Sequence, residues 1–330
     1  MWWITLGVVA ATLVGFAGQR ASLGLVGIGA RRARRDPEVE LAPAIEAPAI
    51  EAPATPTGLP STTRAARVAR SIQERALPDR VLRVPGVDVT GASRAAAECG
   101  GDWWSCHALP DGRVLVVVGD VGGHDHAAAL VAMLTRGFVE GTARSLGDSV
   151  SASRVLTMLT TCFADLVGDQ IFMTCCVLVI DPRVGAVHVA SAGHPFPYVR
   201  RLGGALEVVA ARGAPLGTAD PAIGTARVLL GPGDVLLVHS DGLVDRIGRD
   251  GARFGERRLR KLLADSERGD DGLPGLLTRM EDAIGAFADG ADADDDLTIV
   301  LCERRGAFDG TAFAPDPDLF DEVLEPPAAP

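Results

Sequence analysis

The apolar residues of the chain fall into two rhythms. Short β-branched runs bounded by turn residues read as strands at 113–120 (RVLVVVGD), 171–181 (IFMTCCVLVID), 186–193, 196–201, 206–211, 226–230, 234–241 (DVLLVHSD) and 297–303 (LTIVLCE). Longer segments with apolar residues every three or four positions read as helices at 127–146, 152–167, 255–266 and 273–288, and a further one at 65–80 leads into them. Most strand connections are short and rich in Gly, Pro and Asp, such as DPRVG and GPGD, which favours antiparallel hairpins over parallel crossovers. Paired helices around many hairpin strands predict an α+β layered domain.

The two ends have a different texture. No charge occurs from Trp2 to Gln19, and after Arg20 the next charges are the basic cluster Arg31, Arg32, Arg34 and Arg35. Eighteen helical residues reach roughly 27 Å, just short of a hydrocarbon core of about 30 Å, so the helix is expected to continue past Arg20, which can snorkel. A cleaved signal peptide carries its positive charge ahead of the apolar run, not behind it. Residues 1–35 are therefore expected to be a membrane-anchor helix with a basic flank, single-pass in the cell membrane, with the rest of the chain cytoplasmic. The competing reading is an apolar helix packed on the folded domain. Residues 36–62 repeat APAI and EAPA among prolines and read as a disordered, extended linker, and 63–80 as a linker helix. Residues 81–304 form the expected folded domain, and 305–330, rich in Pro, Asp and Glu, an acidic disordered tail.

Composition narrows the function. Of 330 residues 47% are hydrophobic and 23% charged, enough for one sizeable core, and 32 basic against 43 acidic residues give a net charge of −11. That field repels phosphate backbones and argues against nonspecific nucleic-acid binding, while leaving room for an acidic site that holds cations. The only lysine is Lys261, in RRLRKLL, so no Walker A loop exists and a P-loop NTPase is excluded. Cys99, Cys106, Cys162, Cys175, Cys176 and Cys302 show no CxxC pair and no zinc spacing, and read as reduced, mostly buried thiols.

Four acidic sites stand at strand ends or in tight turns: Asp102 in ECGGDWW, Asp120 in VVVGDVGGH, Asp241 in LLVHSDGL, and the run Asp294, Asp295, Asp296 before LTIV. One Asp in such a place is ordinarily a turn former. Four on neighbouring strands would converge at one rim and raise each other's pKa, a conflict that a divalent cation removes. All-oxygen ligation selects Mg²⁺ or Mn²⁺ over zinc. Sequence spacing alone does not establish that the strands are neighbours.

In order and spacing, ECGGDWW, PDGRVLVVVGDVGGHDHAAAL, AGHPFPYVRR, APLG, GDVLLVHSDGLVDR, FGERRL and DDDLTIV resemble the SpoIIE-type phosphatases of the PP2C (PPM) superfamily, over residues 65 to 304. The resemblance implies a four-layer αββα sandwich with two metal ions, Mn²⁺ or Mg²⁺, at the edge of the central sheets. It implies that Asp120 bridges both ions, with Asp102 and the Val121 backbone carbonyl on one and Asp241 and Asp295 on the other. Asp295 is chosen because it sits three residues before Thr298, and Asp296 is the next choice. The implied activity is hydrolysis of phosphoserine or phosphothreonine by a metal-activated water, without a covalent phosphoenzyme. The implied substrate is a phosphorylated anti-anti-sigma (STAS) protein.

The match has departures. Asp125 and Gly122 stand where the family usually has Gly and Ser, Ser105 stands where an acid is common, and no general acid is assigned. His124 and His194 fall in the family's glycine turns and read as structural. Gly100, Gly101, Gly122 and Gly123 suit close backbone approach to metal and substrate, and tight turns equally well. A Rossmann reading fails because Gly119, Gly122 and Gly123 do not make GxGxxG. The alternative from another class is a catalytically weak or dead PP2C-like fold acting as a regulatory binding module. In the linker helix Ala66, Val68, Ile72 and Ala76 form a mostly one-sided stripe that wants a partner, a homodimer seam among the candidates.

Overall fold

The computed structural model describes residues 62–78, 81–123, 126–168, 171–265 and 271–306. The expected anchor at 1–35, all but the last residue of the linker, and all but the first two residues of the tail lie outside these residues. Among the described residues no helix is long and apolar enough to cross a membrane.

Strict alternation in the valine-rich strands divides the core into layers. In β3 (Asp102–Ala108), β4 (Val114–Val121) and β5 (Met173–Asp181), Trp104, Val114, Val116, Val118, Cys176 and Leu178 face one way. They meet Val199, Leu236, Val238, Val300 and Cys302 of an opposing sheet. The odd-numbered neighbours Trp103, Leu115, Val117, Cys175 and Val177 face the other way, onto Val139, Val155, Leu159 and Phe163 of two helices. These are α2 (His126–Leu146) and α3 (Ala152–Val167). On the far side Leu237, Ile299 and Leu301 bury against Leu259, Leu263, Leu277, Met280 and Ile284 of α5 (Gly255–Asp265) and α6 (Gly272–Ala288). Helices, sheet, sheet, helices is the expected αββα order, and each apolar face is covered because alternation leaves both sides of each sheet hydrophobic.

Both sheets are antiparallel. One runs β3-β4-β5-β6-β9, with β6 at Ala186–Ala192 and β9 at Gly224–Leu229. The other runs β1-β2-β11-β10-β7-β8, with β1 Val81–Val84, β2 Val87–Arg94, β7 Tyr198–Arg200, β8 Leu206–Val208, β10 Val235–His239 and β11 Leu297–Arg304. Helix α1 (Thr62–Ala76) precedes them, and the short α4 (Asp241–Asp245) follows β10. Local chemistry sets some ends: the Ser151 hydroxyl caps α3 by accepting from the Arg154 N–H, and Gly168, at φ 62°, stops it.

Three strands are absent from the sequence expectation. β1, β2 and β3 carry Gly, Ser, Asp and His among their apolar residues, so their period is faint, and pairing decides them: β2 is zipped to β11 over eight residue pairs and β3 to β4 over seven. The strand expected at 206–211 shrinks to Leu206–Val208. The strand expected at 234–241 ends at His239, because Asp241 opens a helix whose first turn favours an acid.

Candidate active site

The same alternation carries the carboxylates to the edge between the sheets. Asp102 and Asp120 continue the inter-sheet rows of β3 and β4 beyond Trp104 and Val118, and the register sets them directly opposite each other. Residues so paired hold their side chains on one face with Cβ atoms about 4.5–5.5 Å apart. Thr174 of β5 faces Asp120 from the other side, so three strands contribute one polar row. From the second sheet Ser240 meets this row: its hydroxyl donates to Asp102 Oδ2 at 2.7 Å and accepts from the Thr298 N–H at 2.9 Å. Asp102 is thereby aimed before any ion is considered.

Asp241, at the start of α4, and Asp295, in the turn before β11, complete the neighbourhood of Asp120. Burial raises the Asp120 carboxyl to about 7, with further upward pushes from Asp241, Asp295 and Asp296 and a downward one from Thr174 as a hydrogen-bond partner. Burial, then Asp120, holds Asp102 well above the usual carboxylate range, against the pull of Ser240. Burial, followed by Asp295 and Asp245, raises Asp241. These are mutually repelling carboxylates in one place, the electrostatic condition that a cation relieves.

Asp295 and Asp296 are neighbours with opposite fates. Asp296 is 3% exposed, and its carboxylate accepts from Gly101 N–H at 2.6 Å, Ala96 N–H at 2.8 Å and Asp102 N–H at 3.3 Å. Its oxygens are committed to holding the turn that delivers Asp102. Asp295 is exposed, accepts from the Asp296 N–H at 2.8 Å, and presses on Asp120 and Asp241 electrostatically. The turn needs its glycines: a Cβ on Gly100 would overlap the Asp296 carboxylate, and one on Gly101 would overlap the Val121 carbonyl oxygen. Gln73 of α1 grips the same turn, donating from Nε2 to the Gly100 carbonyl at 2.7 Å and accepting from the Gly100 N–H at 3.2 Å.

As a donor set these groups, carboxylates and a backbone carbonyl, have the all-oxygen chemistry that suits a hard divalent cation. Among the described residues no three acidic, His or Cys side chains already form a group that could hold an ion as they stand. Register sets Asp102 beside Asp120, and Asp241 and Asp295 act on Asp120 electrostatically.

Sequence reasoning missed the supporting groups Ser240, Thr174 and Gln73. Their signal is parity, since Ser240 and Thr174 continue the inter-sheet rows of their strands. His194 is buried, with Nδ1 2.8 Å from Thr174 Oγ1, and burial pushes it down to about 3. His124 and Asp125 lie outside the described residues. Among the described residues none of the six cysteines forms a disulfide, and Cys99, Cys175, Cys176 and Cys302 are buried, as expected of structural thiols.

Comparison with known proteins places this arrangement. The family model for stage II sporulation protein E (SpoIIE) matches residues 110–305, more than half of the chain, beginning just after the segment that carries Asp102. The SiaA-PP2C domain of Pseudomonas aeruginosa superposes with a TM-score of 0.62 at 22% identity, covering 73% of this chain and 95% of that one. The RsbU and RsbW domains of Rv1364c from Mycobacterium tuberculosis give 0.55 at 26% identity, covering 68% of this chain and 61% of that longer one. RsbX in complex with magnesium gives 0.52 at 15% identity, covering 68% of this chain and 98% of that one. With the two antiparallel sheets, their flanking helices and the acidic rim already in place, the chain belongs to the SpoIIE family, and its fold is that of the SiaA-PP2C domain.

Proposed function

We propose that the protein is a metal-dependent serine/threonine phosphatase whose substrate is the phosphorylated form of an anti-anti-sigma STAS protein. The observation that carries the metal dependence is the pairing of Asp102 with Asp120 across β3 and β4, with Asp241 and Asp295 bearing on Asp120 from the facing side. The relative RsbX has been seen with magnesium, which supports the same ion class here. Asp102, Asp120, Asp241, Asp295 and the Val121 carbonyl are the groups assigned to hold two ions, Mn²⁺ or Mg²⁺. Bound there, the ions supply an activated water and charge neutralisation for in-line phosphoryl transfer.

The chain's own residues do the positioning. Ser240 orients Asp102, and Asp296 with Gly100 and Gly101 fixes the turn that brings Asp102 opposite Asp120. His194 does not serve as the acid for the leaving group, because it is 3% exposed and its Nδ1 is engaged by Thr174. The STAS substrate rests on family resemblance, and membrane attachment through residues 2 to about 30 rests on the apolar run and its basic flank.

The test is phosphate release from candidate phospho-STAS proteins by the full-length chain with Mn²⁺, with Mg²⁺ and with chelator. Turnover that needs the ion supports the reading, and no turnover on any phosphopeptide leaves a binding module. Recovery of the full-length chain in the soluble fraction after gentle lysis would overturn membrane attachment.

A further inference from the structure

We propose that His194 and Thr174 form a hydrogen-bonded positioning chain behind Asp120, running from His194 Nδ1–H through the Thr174 hydroxyl to the Asp120 carboxylate, which it aims at the metal position. This rests on the reading of Asp120 as a metal ligand and adds two residues to it.

Placement comes first. Thr174 lies directly across from Asp120 in the β4–β5 register, on the inter-sheet face, so the two side chains share one side of the sheet. His194 follows Gly193, which bridges to Cys175, and this contact returns the chain to the end of β5 and sets the imidazole beside Thr174. The ring nitrogen Nδ1 and Thr174 Oγ1 are 2.8 Å apart. Asp102 has its own second-layer hydroxyl, Ser240, at 2.7 Å. Each of the two facing carboxylates is thus backed by one hydroxyl, from opposite sheets.

Proton counting then fixes the direction. A threonine hydroxyl has one hydrogen, and an ionised carboxylate only accepts. For Thr174 to bond both neighbours its hydrogen points to Asp120, and its lone pair accepts from His194 Nδ1–H. A neutral imidazole carries one N–H, so Nε2 is then a bare acceptor. Among the described residues no hydrogen bond of good geometry reaches the buried His194 Nε2, but the His239 backbone carbonyl is a hydrogen-bond partner of the ring and favours an N–H on that nitrogen, so the tautomer is the point on which the proposal stands or falls. The opposite tautomer would turn a Thr174 lone pair toward the Asp120 carboxylate, which is repulsive.

Residues that orient a ligand from behind typically change metal affinity by about 10–100-fold. The experiment is calorimetric titration of the full-length protein with Mn²⁺, alongside the Mn²⁺ dependence of phosphatase rate, for wild type, Asp120→Asn, Thr174→Val, His194→Leu, the double variant, Thr174→Ser and His194→Asn. Thr174→Val and His194→Leu should each weaken Mn²⁺ binding by about 10-fold or more. They should raise the Mn²⁺ needed for half-maximal rate in step, with kcat at saturating Mn²⁺ largely kept. The double variant should be no worse than either single one, because one chain is broken only once. Thr174→Ser keeps the hydroxyl and His194→Asn keeps an N–H near the Nδ1 position, so both should recover most of the affinity. If wild type binds no Mn²⁺, or Asp120→Asn binds it as wild type does, the metal assignment itself falls and this chain with it. If wild type binds and Asp120→Asn does not, while Thr174→Val matches wild type, only the positioning chain is overturned. Should His194→Leu fail to fold, Thr174→Val decides the question, being nearly isosteric at a half-buried site. Independently, the ¹⁵N shifts of the wild-type histidines should report His194 as the Nδ1–H tautomer, and an Nε2–H signature overturns the proposal.

Discussion

Asp295 and Asp296 are one residue apart and chemically identical, yet their surroundings give them different work. Asp296 closes three backbone N–H groups of the 96–102 segment, whereas Asp295 stays exposed beside Asp120 and Asp241. In Asp296→Asn an NH₂ must face one of those donors, leaving at least the part-buried Ala96 N–H unmatched, so the metal-free domain should lose about 1–3 kcal/mol. Asp295→Asn should leave metal-free stability within about 0.5 kcal/mol, as for most exposed changes, and weaken Mn²⁺ binding instead. Denaturant melts of the two variants with chelator present separate these roles. Equal melts would mean that the hydrogen bonds to Asp296 contribute little.

Between elements, side chains in turns do the joining. Asp234, between β9 and β10, accepts from Gly231 N–H and Leu202 N–H at 2.8 Å each and from Arg201 Nη1 at 2.8 Å, tying that turn to the β7–β8 turn. Burial alone would raise its pKa, but Arg201 and these N–H donors outweigh burial and hold it below the usual carboxylate value of about 3.9. A carboxyl lowered in the folded state adds stability above its unfolded pKa and loses it as pH falls through the folded value. The stability gap between wild type and Asp234→Asn should therefore be full at neutral pH and close below about pH 4. A gap that stays constant down to pH 3 would assign the loss to packing. Helix α1 is joined in the same manner, by the paired bonds of Gln73 to Gly100, while Val68 and Ile72 on its stripe remain 53% and 54% exposed. Gln73→Leu should loosen the turn that carries Asp102 and raise the Mn²⁺ requirement without unfolding the sandwich. An unchanged Mn²⁺ curve would reduce this contact to a tether.

At the scale of the molecule, the acidic rim sits where two sheets end together, so its repulsion acts on the junction of the whole fold. An ion that binds only the folded state stabilises it by mass action, about 2.7 kcal/mol at a hundredfold excess over its dissociation constant, or several degrees in Tm for a domain of this size. Mn²⁺ should raise the Tm of wild type by that order and leave Asp120→Ala unmoved. No shift in wild type would favour a binding module over an enzyme.

The sequence by itself determined the layered class, the helices and most strands, because alternation and the 3.6-residue period are local and survive without neighbours. Motif order pointed to the family and to Asp102, Asp120, Asp241 and Asp295 as residues of interest. It did not reveal β1, β2 and β3, whose mixed composition becomes strand only through partners; β2 gains its ladder from β11, some two hundred residues later. Nor did it separate the function of Asp296 from that of Asp295, or show that Ser240, Thr174 and His194 stand behind the carboxylates. Those assignments are contacts between strands of different hairpins, and such contacts depend on register and on the facing of two sheets, which the tertiary structure alone decided.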